Sequence, residues 1–308
     1  MMVRRNVVRL CIAAIALPLA VSAQDMFTPI RLTSEEGQEG FPAWFPDGRS
    51  MVYSRYYWAD SLGENGLWKI SVDGSPARQI LSRIAEHPRL SSDGRRIVFD
   101  ADTGSSIMMM SAEGGTPQKF LPDSLYIRSG GLPCWSPSGS HIAFKEARNY
   151  SLCVYDVATG GVTAIFRKEG LVPLPGCWSS DGKYVLIALM DRQTRTSTIW
   201  KISIAGDESH QIRGHHEGFY RYLALSPDGS LLVYGAIEGK DVGLWVMPAE
   251  GGKSLPLTVT HPGHNDGPAW SPDGQRLAFS STRAGGHDIW YMNLDLERLK
   301  KELRVINE

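Results

Sequence analysis

The chain has 308 residues, 42% hydrophobic and 21% charged, which is the profile of a soluble globular protein with enough apolar material for a sizeable core. Its formal net charge is −1 and its basic residues form no long run, so the electrostatic footprint of a nucleic-acid binder is missing. Beyond the first two dozen residues no segment is long and apolar enough to cross a bilayer, which argues against stable membrane insertion of the body.

The chain opens on features of an export signal. Arg4, Arg5 and Arg9 form a basic start, Leu10–Val21 is a short apolar run, and Val21-Ser22-Ala23 supplies a small-residue cleavage site with Gln24 as the first mature residue. An uncleaved anchor is the alternative. Cys11 has no small residue just before it, so no lipid-attachment site is read. Loss of residues 1–23 moves the net charge from −1 to −4. Cys134, Cys153 and Cys177 then remain, an odd set without CxxC spacing, which points to buried free thiols. The expected location is periplasmic or secreted.

From residue 24 to 294 one unit recurs six times. Its fullest form is Trp270-Ser-Pro-Asp-Gly-Gln-Arg-Leu-Ala-Phe279. The others begin at Trp44, Leu90, Trp135, Trp178 and Leu225, and their turn glycines stand at 48, 94, 139, 182, 229 and 274. Successive gaps of 46, 45, 43, 47 and 45 residues make a repeat architecture. Ser-Pro-Asp-Gly is a tight turn, with proline fixing φ and glycine taking the left-handed position. An apolar strand follows each turn (Met51–Tyr53, Ile97–Phe99, Ile142–Phe144, Val185–Ile187, Leu231–Tyr234, Leu277–Phe279), continuous as in a strand covered on both faces. A third strand, a second glycine turn and a fourth strand such as Arg78–Leu81 or Leu255–Thr258 complete the unit.

Four strands per unit, repeated around an axis, predict an all-β, six-bladed β-propeller with antiparallel four-stranded blades. Two stacked sandwiches are the rival, but they do not demand a strict period. Blade six lacks its fourth strand, and Pro29-Ile-Arg-Leu-Thr33 resembles Leu255-Pro-Leu-Thr258. The N-terminal strand is therefore expected to close blade six, with Leu303–Ile306 as the competing latch. Residues 295–308 read as a short helical tail with Leu296, Leu299 and Leu303 on one face, and with Glu297–Lys301 and Arg298–Glu302 as i,i+4 pairs.

Pro268 through Met292 carries the repeat almost without a break, and at these residues the chain resembles the TolB-like propellers built from PD40 (WD40-like) repeats. The resemblance covers Pro29 to Leu294. It implies the fold and binding on the loop face near the axis. Prolyl-oligopeptidase-like peptidases share the repeat but need a hydrolase domain, and Gly-x-Ser-x-Gly is absent from this sequence. Oligogalacturonate lyases resemble the same architecture, and the resemblance implies a metal held by funnel histidines.

Candidate site residues are those that enter each first strand or lie on the loop face. For ligand binding these are Glu39, Tyr56, Tyr57 and Trp58 in blade one, Glu86 in blade two, Arg128 in blade three, Arg221 in blade five and Asp266 in blade six. For a divalent metal they are His87, His215 and His264, a possibility set against a hydrated polar channel with no cofactor. The repeated tryptophans read as packing. The favoured function is a non-catalytic binding or scaffold module for a protein, peptide or glycan. The alternative is a metal-dependent enzyme, polysaccharide lyase-like or lactonase-like, working in the funnel.

Overall fold

A computed structural model describes residues 27–57, 63–128, 130–217, 219–258 and 263–308. The leader read over residues 1–23 lies outside them. Among the described residues no helix is long and apolar enough to cross a membrane.

After an isolated β1 (Pro29–Arg31), blade one contains β2 (Gln38–Trp44), β3 (Ser50–Tyr56), β4 (Gly66–Ser71) and β5 (Arg78–Ser82). Blade two contains β6 (Ala85–Leu90), β7 (Arg96–Ala101), β8 (Ser106–Ser111) and β9 (Gln118–Lys119). Blade three contains β10 (Cys134–Trp135), β11 (His141–Glu146), β12 (Ser151–Asp156) and β13 (Val162–Phe166). Blade four contains β14 (Leu171–Trp178), β15 (Tyr184–Asp191), β16 (Thr196–Ser203) and β17 (Ser209–Glu217). Blade five contains β18 (Tyr220–Leu225), β19 (Leu231–Glu238), β20 (Asp241–Pro248) and β21 (Leu255–Pro256). Blade six contains β22 (Asn265–Trp270), β23 (Arg276–Ser281) and β24 (Asp288–Asn293), and α1 (Leu296–Asn307) ends the chain.

The six sheets are separate, four-stranded and antiparallel, and the last has the order β1-β24-β23-β22. The molecule is a six-bladed propeller, as the period requires. First strands of neighbouring blades touch one another, so they ring the axis.

Each turn is built by its own side chains. In blades two, four, five and six, Ser91, Ser179, Ser226 and Ser271 donate their hydroxyls at 2.5–2.6 Å to Asp93, Asp181, Asp228 and Asp273. The same hydroxyls accept the backbone N–H of Arg96, Tyr184, Leu231 and Arg276, where the second strands begin. The glycine that follows has φ between 63° and 75° in all six turns, a conformation that strains any residue with a Cβ. These hydrogen bonds explain why the serine and aspartate recur with the glycine.

Closure uses the N-terminal strand. Pro29, Ile30 and Arg31 pair with Met292, Tyr291 and Trp290. The buried Thr33 hydroxyl then accepts the N–H of Ile289 at 2.8 Å. Thr258 does the same for Leu244 at 2.8 Å in blade five, which is the physical content of the likeness between the two Leu-Thr segments. Leu303–Ile306, the competing latch, lies within α1. That helix starts on Asp295, whose carboxylate accepts the N–H of Arg298. Leu299 and Leu303 are buried against Leu231, Val246 and Leu277 of blades five and six. The ion pairs differ from the i,i+4 expectation. Lys300 bridges Glu297 within the helix and Asp228 on the blade-five turn at 2.8 Å, tying the helix to the propeller.

The tryptophans of the turn position do more than fill space. Trp44 donates to the Ala269 carbonyl, Trp178 to that of Cys134 and Trp270 to that of Ala224, each at 3.0–3.1 Å and each reaching the inner strand of the preceding blade. Trp135 holds the same place in blade three, yet its Nε1 has no partner among the described residues. The two sites therefore form a controlled pair. Trp178→Phe removes one buried hydrogen bond and costs about 1 kcal/mol, whereas Trp135→Phe removes a donor without a partner among the described residues and costs less. Equal loss of stability for both variants in urea denaturation would contradict this.

Candidate functional site

The hub is shaped by a kink that recurs in the inner strands. Pairing between first and second strands slips at Gly40/Ala43, Glu86/Arg89, Pro175/Cys177, Arg221/Ala224 and Asp266/Ala269, the signature of a β-bulge. Three residues before the tryptophan or leucine of each turn, Phe41, His87, Leu132, Tyr222 and Gly267 have φ between 49° and 60°, and Pro175 holds the place in blade four. Four of these are non-glycine residues in the left-handed region, each strained by about 1–3 kcal/mol. Such strain is kept where surrounding contacts hold it and where it aims a side chain.

Here it aims three rings together. Phe41 and His87 lie with centroids 4.0 Å apart, Phe41 and Tyr222 at 5.2 Å, and His87 and Tyr222 at 5.5 Å. His87 Nδ1 lies 3.0 Å from Asp100 Oδ2, and the Asp100 carboxylate also accepts the N–H groups of Gly131 and Leu132. With Nδ1 donating to Asp100, His87 Nε2 accepts the Tyr222 hydroxyl at 3.3 Å, and that hydroxyl in turn accepts Arg221 Nη2 at 3.3 Å. Arg221 Nε reaches Asp266 Oδ2 at 3.3 Å. A polar chain thus crosses the axis from blade two to blades five and six. Burial, reinforced by the Asp266 charge, pushes the Tyr222 phenol up to about 12, so it stays protonated at neutral pH.

Above this floor, on the face of the loops between second and third strands, lies a cavity of 240 Å³. Blades one, two, five and six supply its wall, including Glu39, Tyr56, Glu86, Arg221, His264 and Asp266. Most of its charge is already paired. Glu39, 1% exposed, is held by Arg55 at 2.7 Å, and that guanidinium sits 4.0 Å over the Trp68 ring. The Oε2 of Glu39 has no hydrogen-bond partner among the described residues. Burial raises its carboxyl above the ordinary value, against the opposing pull of Thr33 and Arg55. Burial likewise raises Asp266, against Arg221 and the N–H of Gly267. His287 is pushed down by burial and by His264. Glu86 is different: it lines the cavity and forms no hydrogen bond or ion pair among the described residues.

The expected residues divide accordingly. Glu39, Tyr56, Glu86, Arg221, His264 and Asp266 are brought together. Tyr57 is packed on Gly37 instead, where no Cβ would fit, and does not line the cavity. Arg128 is exposed and also away from it. Trp58 lies outside the described residues. His87 sits beneath the cavity with both ring nitrogens engaged. The placement of His215 at the start of blade five is overturned: its backbone belongs to β17, the outermost strand of blade four, far from the hub. Blade four ends in a long β16–β17 hairpin, so the chain does not return to the axis until Tyr220. Among the described residues no three His, Cys, Asp or Glu are grouped to hold a metal ion. Phe41, Asp100, Arg55, Tyr222 and His287 were not anticipated. Superposing the six repeats three residues before the turn tryptophan would have found Phe41 and Tyr222, while Asp100 and Arg55 carry no local signal.

No known family profile matches the chain. Over 128 residues it is 29% identical to an uncharacterised protein of Agrobacterium fabrum, a match covering 37% of this chain and 42% of that one, so it spans about two fifths of that relative. Among solved structures it is similar to a TolB-like protein from Agrobacterium tumefaciens, with 19% identity, a TM-score of 0.63, and coverage of 88% of this chain and 98% of that one. It is also similar to an oligogalacturonate lyase from Vibrio parahaemolyticus, with 13% identity, a TM-score of 0.58, and coverage of 88% and 97%. At these identities the likeness shows the propeller fold.

The Arg55–Glu39 pair yields a test with a defined pH sign. Arg55→Met strands a buried carboxylate and destabilises the fold by about 3–5 kcal/mol near neutrality. Because the folded state already raises the Glu39 pKa, protonation relieves the deficit, which shrinks as pH falls from 7 toward 4.5. A deficit that is flat or grows over that range in thermal melts would refute the assignment.

Proposed function

We propose that the chain is an exported, non-catalytic binding propeller whose loop-face cavity receives a basic side chain of a protein or peptide partner. The observation that carries this reading is the unpaired Glu86 carboxylate on a wall whose other acids, Glu39 and Asp266, are matched by Arg55 and Arg221. One negative charge without an internal partner, in a polar recess, favours a cation from outside. A volume of 240 Å³ is below that of sites enclosing a whole drug-sized molecule, and suits a single side chain presented by a larger partner. Phe41 and Tyr56 line the cavity and give an incoming cation ring faces to rest on. The leader-like N-terminus supports export.

A second reading, metal-dependent chemistry on a sugar acid or lactone, has one observation behind it: His264 and His287 line the same cavity. Elemental analysis of purified protein separates the two. The binding reading expects no stoichiometric metal and no change in His264→Ala; a bound ion lost in that variant would favour the enzyme.

The direct probe is the end-blocked tripeptide Gly-Lys-Gly. Saturable binding in titration calorimetry is expected, weakened about tenfold or more by Glu86→Gln while the melting temperature holds. Equal binding of blocked Gly-Gln-Gly, or of a neutral sugar in its place, would sink the cation-binding reading.

A further inference from the structure

The opposite mouth of the hub holds a second recess, where the unmatched charge is positive instead of negative. A cavity of 270 Å³ opens on the Ser-Pro-Asp-Gly face, and every blade contributes to its wall. Its lining side chains include Trp44, Trp135, Trp178 and Trp270 with the prolines beside them, and polar and apolar surface contribute almost equally. At the position just before the turn tryptophan or leucine, five blades place a small residue, Ala43, Cys134, Cys177, Ala224 and Ala269. Blade two alone places a large charged one, Arg89.

That guanidinium has almost nothing to neutralise it. It makes one hydrogen bond, from Nη1 to the carbonyl of its own neighbour Pro88 at 3.0 Å, and no ion pair among the described residues. Cys134 and Cys177 line the same recess, and burial pushes both thiols up to about 12, so neither supplies a negative charge at neutral pH. Asp100 is within electrostatic reach, but it does not line the recess and its oxygens accept from His87, Gly131 and Leu132. Burial draws the arginine itself below its ordinary value. An unmatched, half-buried guanidinium leaves most of its donors for a ligand to complete.

We propose that this recess is a binding site for a carboxylate attached to an apolar body, with Arg89 taking the carboxylate and the tryptophan-lined wall taking the body. Planar guanidinium suits the two oxygens of a carboxylate, and indole and proline surfaces suit an aliphatic or aromatic tail. The source is a small organic acid or the C-terminus of a peptide chain.

Hexanoate, hexanol and hexylamine form a matched ligand set for titration calorimetry and thermal shift on the full chain. Hexanoate is expected to bind saturably, at least tenfold tighter than hexanol, with hexylamine weaker still. Arg89→Met is expected to abolish the preference for the acid and to melt no lower than the native protein in the absence of ligand; Arg89→Lys is expected to keep the preference with reduced affinity. Comparable binding of all three ligands, absence of saturable hexanoate binding up to millimolar concentration, or an undiminished hexanoate response in Arg89→Met would overturn the site. A peptide ending in free leucine, compared with its amide, separates the sources: binding of the free acid form assigns a chain terminus, and binding of hexanoate without it assigns a small acid. Because the ligand-series comparison needs no variant, a folding defect in Arg89→Met leaves the test intact.

Discussion

Ring closure is the constraint on which the rest of this molecule depends. Each blade buries its faces against two neighbours, so an unclosed propeller would leave apolar sheet faces in water at both ends. Three residue pairs in antiparallel register between β1 and β24, followed by the Thr33 cap on Ile289, join segments more than 250 residues apart. Trp44 adds a bond from blade one to the Ala269 carbonyl of blade six across the same seam. Arg31 with the buried Asp288 gives the seam an ion pair at 3.0 Å. Only after these contacts form does the hub exist as an enclosed space, because its walls come from all six blades.

Within that closed ring, the bulges of the inner strands decide what faces the axis. A regular strand alternates its side chains and would leave the channel lined by small residues at one level. The bulge and left-handed residue turn Phe41, His87 and Tyr222 inward, and the three rings divide one channel into two recesses. The two halves then differ in electrostatic character. The loop side holds an unpaired carboxylate, Glu86, among neutralised acids, and the turn side holds an unpaired guanidinium, Arg89, among tryptophans. Only His87 and Pro88 separate them along one strand, and the Asp100–His87–Tyr222 chain lies between. The strain in this floor and the two unmatched charges are the places where the fold departs from what stability alone would select.

The architecture was legible because it is periodic. Turn chemistry repeats with a spacing near 45 residues, and the serine, aspartate and glycine of each turn have local jobs that do not depend on distant partners. Even the closing strand was readable, since Leu32-Thr33 repeats the role of Leu257-Thr258 and a threonine hydroxyl capping the third strand is a local device. The site was only partly legible. Glu39, Glu86, Arg221 and Asp266 follow from their position at the start of inner strands. His215 did not, because the strand before it runs on to Glu217 and carries the histidine to the rim of blade four. Arg55, which neutralises Glu39, and Asp100, which holds His87, sit on second strands just past their apolar runs, and Asp100 read as part of a turn.

The sequence by itself determined the repeat, the blade count and the strand order within a blade, since turns and apolar strands are set by neighbours a few residues apart; it left two candidate closing segments, and the pairing of β1 with β24 chose between them. Only the tertiary structure decided which charges are matched and which are left over. That distinction depends on groups from different blades meeting across an axis, after bulges have redirected their side chains, and separation along the chain carries no record of either.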